Sequence, residues 1–176
     1  MISWSEAIKL VKGTSRFEHS LLVSHLMAEL ARELKENTLE WKLVGLLHDL
    51  DYDETAENRT MHGVITAHRL KGKLPEECLY AIKAHDHRTG FKPKSKLDKA
   101  LVIADSLAVL VEEVEKEGVT TETLKKELEK ISLEKPWIKT NILKCEEIGL
   151  KLNQLLQTCI NVIKTLRQNN RDLNER

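Results

Sequence analysis

Aromatic residues are scarce in this chain: three Trp, two Tyr and two Phe make up 4% of 176 residues. A core must therefore be built from Leu, Val, Ile and Ala, and a hydrophobic share of 41% can supply it. A chain of this length buries a sizeable core without disulfides. None is expected, because Cys78, Cys145 and Cys159 are odd in number and form no Cys-x-x-Cys pair. Reduced, buried thiols in a cytoplasmic protein are the simple reading. Net charge is absent too: 28 basic residues face 28 acidic ones. That balance removes the electrostatic reason to expect stable nucleic-acid binding or an anionic membrane surface. The apolar runs are too short to span a bilayer. Met1 leads into Ile2-Ser3-Trp4-Ser5-Glu6, with no basic stretch followed by an apolar one, so no secretory signal is read there. Internal repeats and low-complexity linkers are also missing, so the chain is read as a single domain.

What is present is helical periodicity nearly throughout. Ser3-x-x-Glu6, Ser15-x-x-Glu18, Asn37-x-x-Glu40 and Ser95-x-x-Asp98 read as helix starts. They predict helices ending near Gly13, Leu34, Leu50 and Gly118. A polar loop is expected over Asp51–Thr60. Two more helices follow, from His62 to Lys71 and from Pro75 to His87, then a loop over Arg88–Lys94. Beyond Gly118 the pattern predicts helices over Thr121–Ile131, Pro136–Ile148 and Asn153–Gln168, with a frayed tail over Asn169–Arg176. The expected fold is all-α, a helical bundle of about eight helices. Its catalytic part spans residues 1–118. An extension over 119–176 packs on the same domain or on a second subunit of a homodimer.

The chemistry concentrates where ionisable groups interrupt apolar helices. Val44-Gly45-Leu46-Leu47-His48-Asp49-Leu50 ends a buried helix on two polar residues. A buried carboxylate is costly unless it is paired or bound to a metal. His beside Asp offers a neutral nitrogen and an anionic oxygen, a ligand set for a divalent transition ion. Asp105 is the only charged residue between Ala100 and Val111, on the stripe shared with Leu101 and Ala108. His19 stands one turn before Val23 and points inward. His62 and His85 are read as ligands of a second ion or as hydrogen-bond donors to a substrate phosphate. His25 and His68 each lie six residues from a candidate ligand, about 600° around a helix, and face elsewhere.

His19, then His48-Asp49, then a distant helical Asp105, resembles the HD-domain superfamily of metal-dependent phosphohydrolases. Arg16-x-x-His19-Ser20-x-x-Val23, Thr60-Met61-His62-Gly63, Ala81-Ile82-Lys83-Ala84-His85 and Leu97-Asp98-Lys99-Ala100-Leu101 are similar to a compact prokaryotic branch of predicted HD hydrolases, as is Ile142–Leu150. Two departures stand out. Many members follow His-Asp with Ile-Gly-Lys, where this chain has Leu50-Asp51-Tyr52. The close branch often carries Thr-Gly-Leu-Ile after the final Asp, where this chain has Leu107-Ala108-Val109-Leu110.

The resemblance implies hydrolysis of a phosphomonoester or phosphodiester, with a nucleotide as the usual small phosphorylated substrate. It implies one or two divalent ions (Mn, Fe, Co, Ni, Zn or Mg) on His19, His48, Asp49 and Asp105, with His62 and His85 available for the second. Asp51 and Asp53 are candidate general bases. Arg16, Arg59, His87, Arg88, Lys92 and Lys94 are candidates for substrate binding. Two other classes remain open: a di-iron oxygenase on the same fold, and a catalytically silent nucleotide-binding module.

Overall fold

The structure is a computed structural model describing residues 1–114 and 119–174, with side chains described to residue 168. Among the described residues there are nine α-helices and no strand. They are α1 (Trp4–Val11), α2 (Phe17–Leu34), α3 (Thr38–Leu47), α4 (Val64–Arg69), α5 (Glu76–Ala84), α6 (Lys96–Glu112), α7 (Thr121–Ile131), α8 (Pro136–Leu143) and α9 (Leu152–Asn174). Short 3₁₀ turns cover Arg59–Met61, His87–Thr89 and Lys144–Ile148. The expected boundary at Gly118 lies outside the described residues.

Local chemistry accounts for most of the starts. Ser3 with Glu6 and Ser95 with Asp98 form reciprocal capping boxes, each serving a backbone N–H otherwise left orphaned at a helix start. Asn37 caps α3 by accepting from the Glu40 amide. The expected box at Ser15 does not form. Arg16 is the N-cap of α2, without a side-chain cap, and Ser15 instead donates its amide and hydroxyl to the Asp53 carboxylate. The polar loop after α3 thus ties down the turn that enters α2.

α6 is the spine. It packs against α2, α3, α5, α7 and α8. Ala100, Leu101, Ala104, Leu107, Ala108 and Leu110 on it are fully buried. α2 lies closest to α3, and Gly45 makes that approach possible. A Cβ there would stand 2.9 Å from Ser24 Cα, Val23 O and Met27 Cγ. α9 closes the far side, packing on α2 and α7, with Leu155, Leu156 and Cys159 fully buried. It runs beyond the expected end at Gln168. No helix among the described residues is long and apolar enough to cross a membrane.

Candidate metal centre

A cavity of about 510 Å³ opens where the start of α2, the turn after α3, the end of α5 and one face of α6 meet, with Arg16, Asp49, His62, His85 and Asp105 in its lining. The way each imidazole is held decides what it can do. His48 and His85 are the residues that end α3 and α5. Each turns its ring back on its own helix, so that Nδ1 meets a last-turn carbonyl: Gly45 O at 2.8 Å and Ile82 O at 2.6 Å. A carbonyl only accepts, so Nδ1 carries the proton and Nε2 presents a bare lone pair. This arrangement also serves two of the carbonyls a helix leaves unpaired at its C-terminus. His19 Nδ1 donates to Glu112 at 2.7 Å, and His62 Nδ1 to Asp51 at 2.8 Å. All four rings are therefore pinned at Nδ1 and present Nε2 inward.

Those four nitrogens converge on two carboxylates. His19 Nε2 is 2.9 Å from Asp105 and 3.8 Å from Asp49. His48 Nε2 is 3.4 Å from Asp49 and 3.8 Å from Asp105. His62 and His85 reach the Oδ1 atom of Asp49 at 3.0 and 3.6 Å, and their own Nε2 atoms are 3.1 Å apart. Lone pairs facing anions and one another are unfavourable unless a positive charge lies between them. Without an ion, protons must supply that charge. Burial lowers the His19 pKa, but hydrogen bonds to Asp105 and Glu112 outweigh it and bring the group up to about 9. His62 is likewise lowered by burial and raised further by Asp49 and Asp51, to about 9. Burial alone would raise Asp49 and Asp105, yet the facing histidines hold both far below the usual carboxylate range.

The residues present fit a divalent cation. The fully buried His48 Nε2 has no hydrogen-bond partner, and a metal ion is what such an atom accommodates. His19, His48 and Asp105 form one donor group compact enough to hold an ion, and His48, Asp49 and His85 form another. The donors are imidazole nitrogen and carboxylate oxygen, suited to first-row divalent metals.

Residues 16–110, more than half of the chain, match the family model of the HD domain. The chain belongs to the HD-domain family. A 77-residue stretch is 42% identical to ribonuclease Y from Protochlamydia amoebophila, covering 43% of this chain and 15% of that protein. A 98-residue stretch is 37% identical to ribonuclease Y from Desulfotalea psychrophila, covering 54% of this chain and 18% of that one. The chain thus spans less than a fifth of the length of these curated relatives. The crystal structure of a predicted HD superfamily hydrolase involved in NAD metabolism, from Clostridium acetobutylicum, is similar in fold. It has a TM-score of 0.52 and 19% identity, with 94% of this chain and 98% of that chain covered.

Several expected residues sit elsewhere in this HD domain than the sequence suggested. Asp51, expected as a base, is fully buried and fully engaged. Its Oδ1 accepts from His62 Nδ1 and the Gly63 amide, and its Oδ2 accepts from the Thr66 amide. It orients His62 and does not line the cavity. Asp53, the other expected base, lies at the surface on Ser15. Arg59 stacks 3.9 Å over the Tyr52 ring and donates to the Tyr52 carbonyl, so it buttresses that ring and does not face the cavity. Lys94 stands 4.7 Å over Tyr80, away from the cavity. Lys92 lines an adjoining cavity.

Arg16, His87 and Arg88 do line the main cavity. Arg16 Nε donates to Asp49 at 3.2 Å, and Arg88 is paired with the buried Asp86. His25 and His68 lie outside the cavity lining.

Sequence reasoning missed Glu112, whose carboxylate fixes His19. Its position seven residues after Asp105, two turns along the same face, was the available signal. It also missed the contribution of the extension. Lys135, Trp137, Ile138 and Asn141 form one wall of the cavity, and Asn141 donates to Ser106 on α6 at 3.1 Å.

Proposed function

We propose that the protein is a metal-dependent phosphohydrolase that cleaves a phosphomonoester or phosphodiester of a nucleotide. One observation carries this reading: four imidazole Nε2 atoms, each pinned at Nδ1, converge on Asp49 and Asp105. His19, His48, Asp49 and Asp105 hold one divalent ion. Asp49, His62 and His85, whose facing atoms lie 3.0–3.6 Å apart, would hold a second. Metal bound there supplies a water of lowered pKa and a positive charge for the phosphoryl oxygens.

The chain's own groups supply the rest. Glu112 and Asp51 fix the tautomers and ring planes of His19 and His62. Arg16 is half-buried beside Asp49 and is placed to meet a phosphate oxygen next to the donors. Membership of the HD-domain family supports hydrolysis. The ribonuclease Y relatives and the Clostridium hydrolase support a nucleotide or its phosphodiester as substrate.

The test is metal analysis of the purified protein, followed by a phosphate-release screen over nucleoside phosphates, cyclic nucleotides, bis-p-nitrophenyl phosphate and a short RNA. Metal-dependent turnover that vanishes in Asp49→Ala is expected. Loaded protein inert towards every ester refutes the reading. Bound iron with oxygen consumption replaces it with the oxygenase alternative.

A further inference from the structure

The metal cavity does not end at the metal donors. A second cavity of about 430 Å³ opens beside it, and the two share His85, His87, Trp137 and Asn141 as lining. Their chemistry differs. The first carries Asp49, Asp86, Asp105, Glu112 and Glu113. The second has no carboxylate in its lining; it is walled by Phe91, Pro93 and Val102, with Lys92 and Lys144 at its edge. Trp137 stands where the two meet. It follows Pro136, whose ring sets the start of α8, and its indole is 51% exposed while Ile138 and Ile142 of the same helix are buried. Leu133 and Leu143 are also exposed, but neither lines either of these two cavities, whereas Trp137 lines both.

We propose that the second cavity is a nucleobase subsite, in which the base of a nucleotide stacks on Trp137 while its phosphate reaches the metal donors. The proposal rests on the phosphohydrolase reading for its phosphate end and names the substrate class. An apolar, carboxylate-free pocket with an exposed aromatic face suits a planar heterocycle, since every base has a π-face to stack. Lys92 and Lys144 suit an additional phosphate or the second half of a dinucleotide. Either cavity is large enough for a drug-sized ligand by itself. A phosphate ester without a base would leave the second one unfilled.

The experiment uses the full, metal-loaded chain, with phosphate release followed in parallel so that only intact ligand is counted as bound. Adenosine 5′-monophosphate and ribose 5-phosphate are titrated while tryptophan fluorescence is recorded. Trp41 is buried and Trp4 is covered by Lys42 at 3.9 Å, so quenching by the base reports Trp137. The nucleotide is expected to quench and the sugar phosphate not to. In Trp137→Ala, nucleotide affinity measured by equilibrium dialysis should fall about 5- to 100-fold, with ribose 5-phosphate unaffected.

Equal affinity for the two ligands, no nucleotide binding at millimolar concentration, or nucleotide affinity indifferent to Trp137→Ala each overturns the proposal. So does a variant whose sole change is loss of a dimer on size exclusion, which makes the indole an interface residue. Because the indole is half outside the core, the variant should keep its circular dichroism; Trp137→Phe, expected to retain affinity, checks that stacking is what is lost. The phosphohydrolase reading fails separately, by absence of phosphate release from metal-loaded protein.

Discussion

Two opposite expectations meet when Gly45 is replaced by alanine. Helix propensity says that Gly→Ala inside α3 should stabilise by about 0.8–1.0 kcal/mol. The packing says the reverse. The new Cβ would stand 2.9 Å from Ser24 Cα, Val23 O and Met27 Cγ. Met27 can rotate away, but the other two atoms are backbone of α2, so relief requires the helices to part by about half an ångström. Overpacking of a tight core costs about 1–3 kcal/mol. With backbone on two of three sides the upper end applies, leaving a net loss of about 2 kcal/mol after the propensity gain. For a chain of this length that lowers Tm by about 4–8 °C.

The consequence reaches the candidate metal centre, because α2 carries His19 and α3 ends at His48, whose Nδ1 is bonded to the Gly45 carbonyl itself. Metal sites tolerate departures of only about 0.2 Å in ligand distance, so affinity for the ion should fall along with stability. Urea denaturation followed by circular dichroism measures the first effect, and metal content after dialysis the second. A denaturation midpoint at or above the parent value would refute the close approach and restore propensity as the governing term.

Four further outcomes follow from the same geometry. His48→Ala and Asp49→Ala should each remove bound metal while helical circular dichroism stays largely intact; unaltered metal content in both would sink the assignment. The double replacement of His62 and His85 by Ala should lower the stoichiometry from two ions to one, and Asp51→Asn should weaken the second ion about 10- to 100-fold by freeing His62; a single ion throughout with impaired KM or turnover would show these histidines to be substrate groups, and no change in either would remove them from the site. Burial pushes the Cys78 and Cys159 thiols up to about 12, so neither should react with a thiol reagent at pH 8 until the protein unfolds, and rapid reaction of the native protein would show either of them to be accessible. In metal-free protein, His19 and His62 are raised from 6.5 to about 9, so their stabilisation is complete below about 6.5 and is lost as pH rises through 9. A divalent ion binding at pH 7.5 must then expel protons, and calorimetry showing no buffer-dependent proton release would contradict the raised pKa values of His19 and His62.

Helix starts were legible where the capping pattern acted locally. Ser3 and Ser95 do what their neighbours three residues on suggested. Ser15 carries the same pattern and does something else, because Asp53, 38 residues away, takes its hydroxyl and amide. No window along the chain contains that competitor. α3 ends at Leu47, before the expected Leu50. The reason is that His48 folds back on the Gly45 carbonyl and begins the turn that throws Asp49 into the cavity. The apolar stripe of α9, by contrast, is plain in the sequence from Leu152, Leu155, Leu156, Ile160 and Ile163; the last four are buried and Leu152 is half-buried, with α9 packed on α2 and α7.

The residues that hold the candidate centre's donors were harder to read than the donors themselves. A histidine or aspartate in an apolar helix is conspicuous because burial without a partner is costly. Asp51 and Asp53 looked alike as acids of one polar loop, yet one is fully buried and the other is at the surface. The difference lies in the amides of Gly63 and Thr66 and in His62, which arrive from the next helix and enclose only Asp51. Glu112 was hidden for the opposite reason: beside Glu113 at the end of α6 it has the look of a solvated charge, and only the helical phase it shares with Asp105 marks it. The extension was hidden because its helices offer apolar stripes and no candidate ligands. A cavity needs walls as well as donors, and Trp137 and Asn141 supply them from beyond residue 118. A fragment cut at that point would keep every candidate ligand but strip α2 and α6 of the packing that α7, α8 and α9 give them, so it should be insoluble or molten; a well-folded, fully active fragment would show the extension to be dispensable.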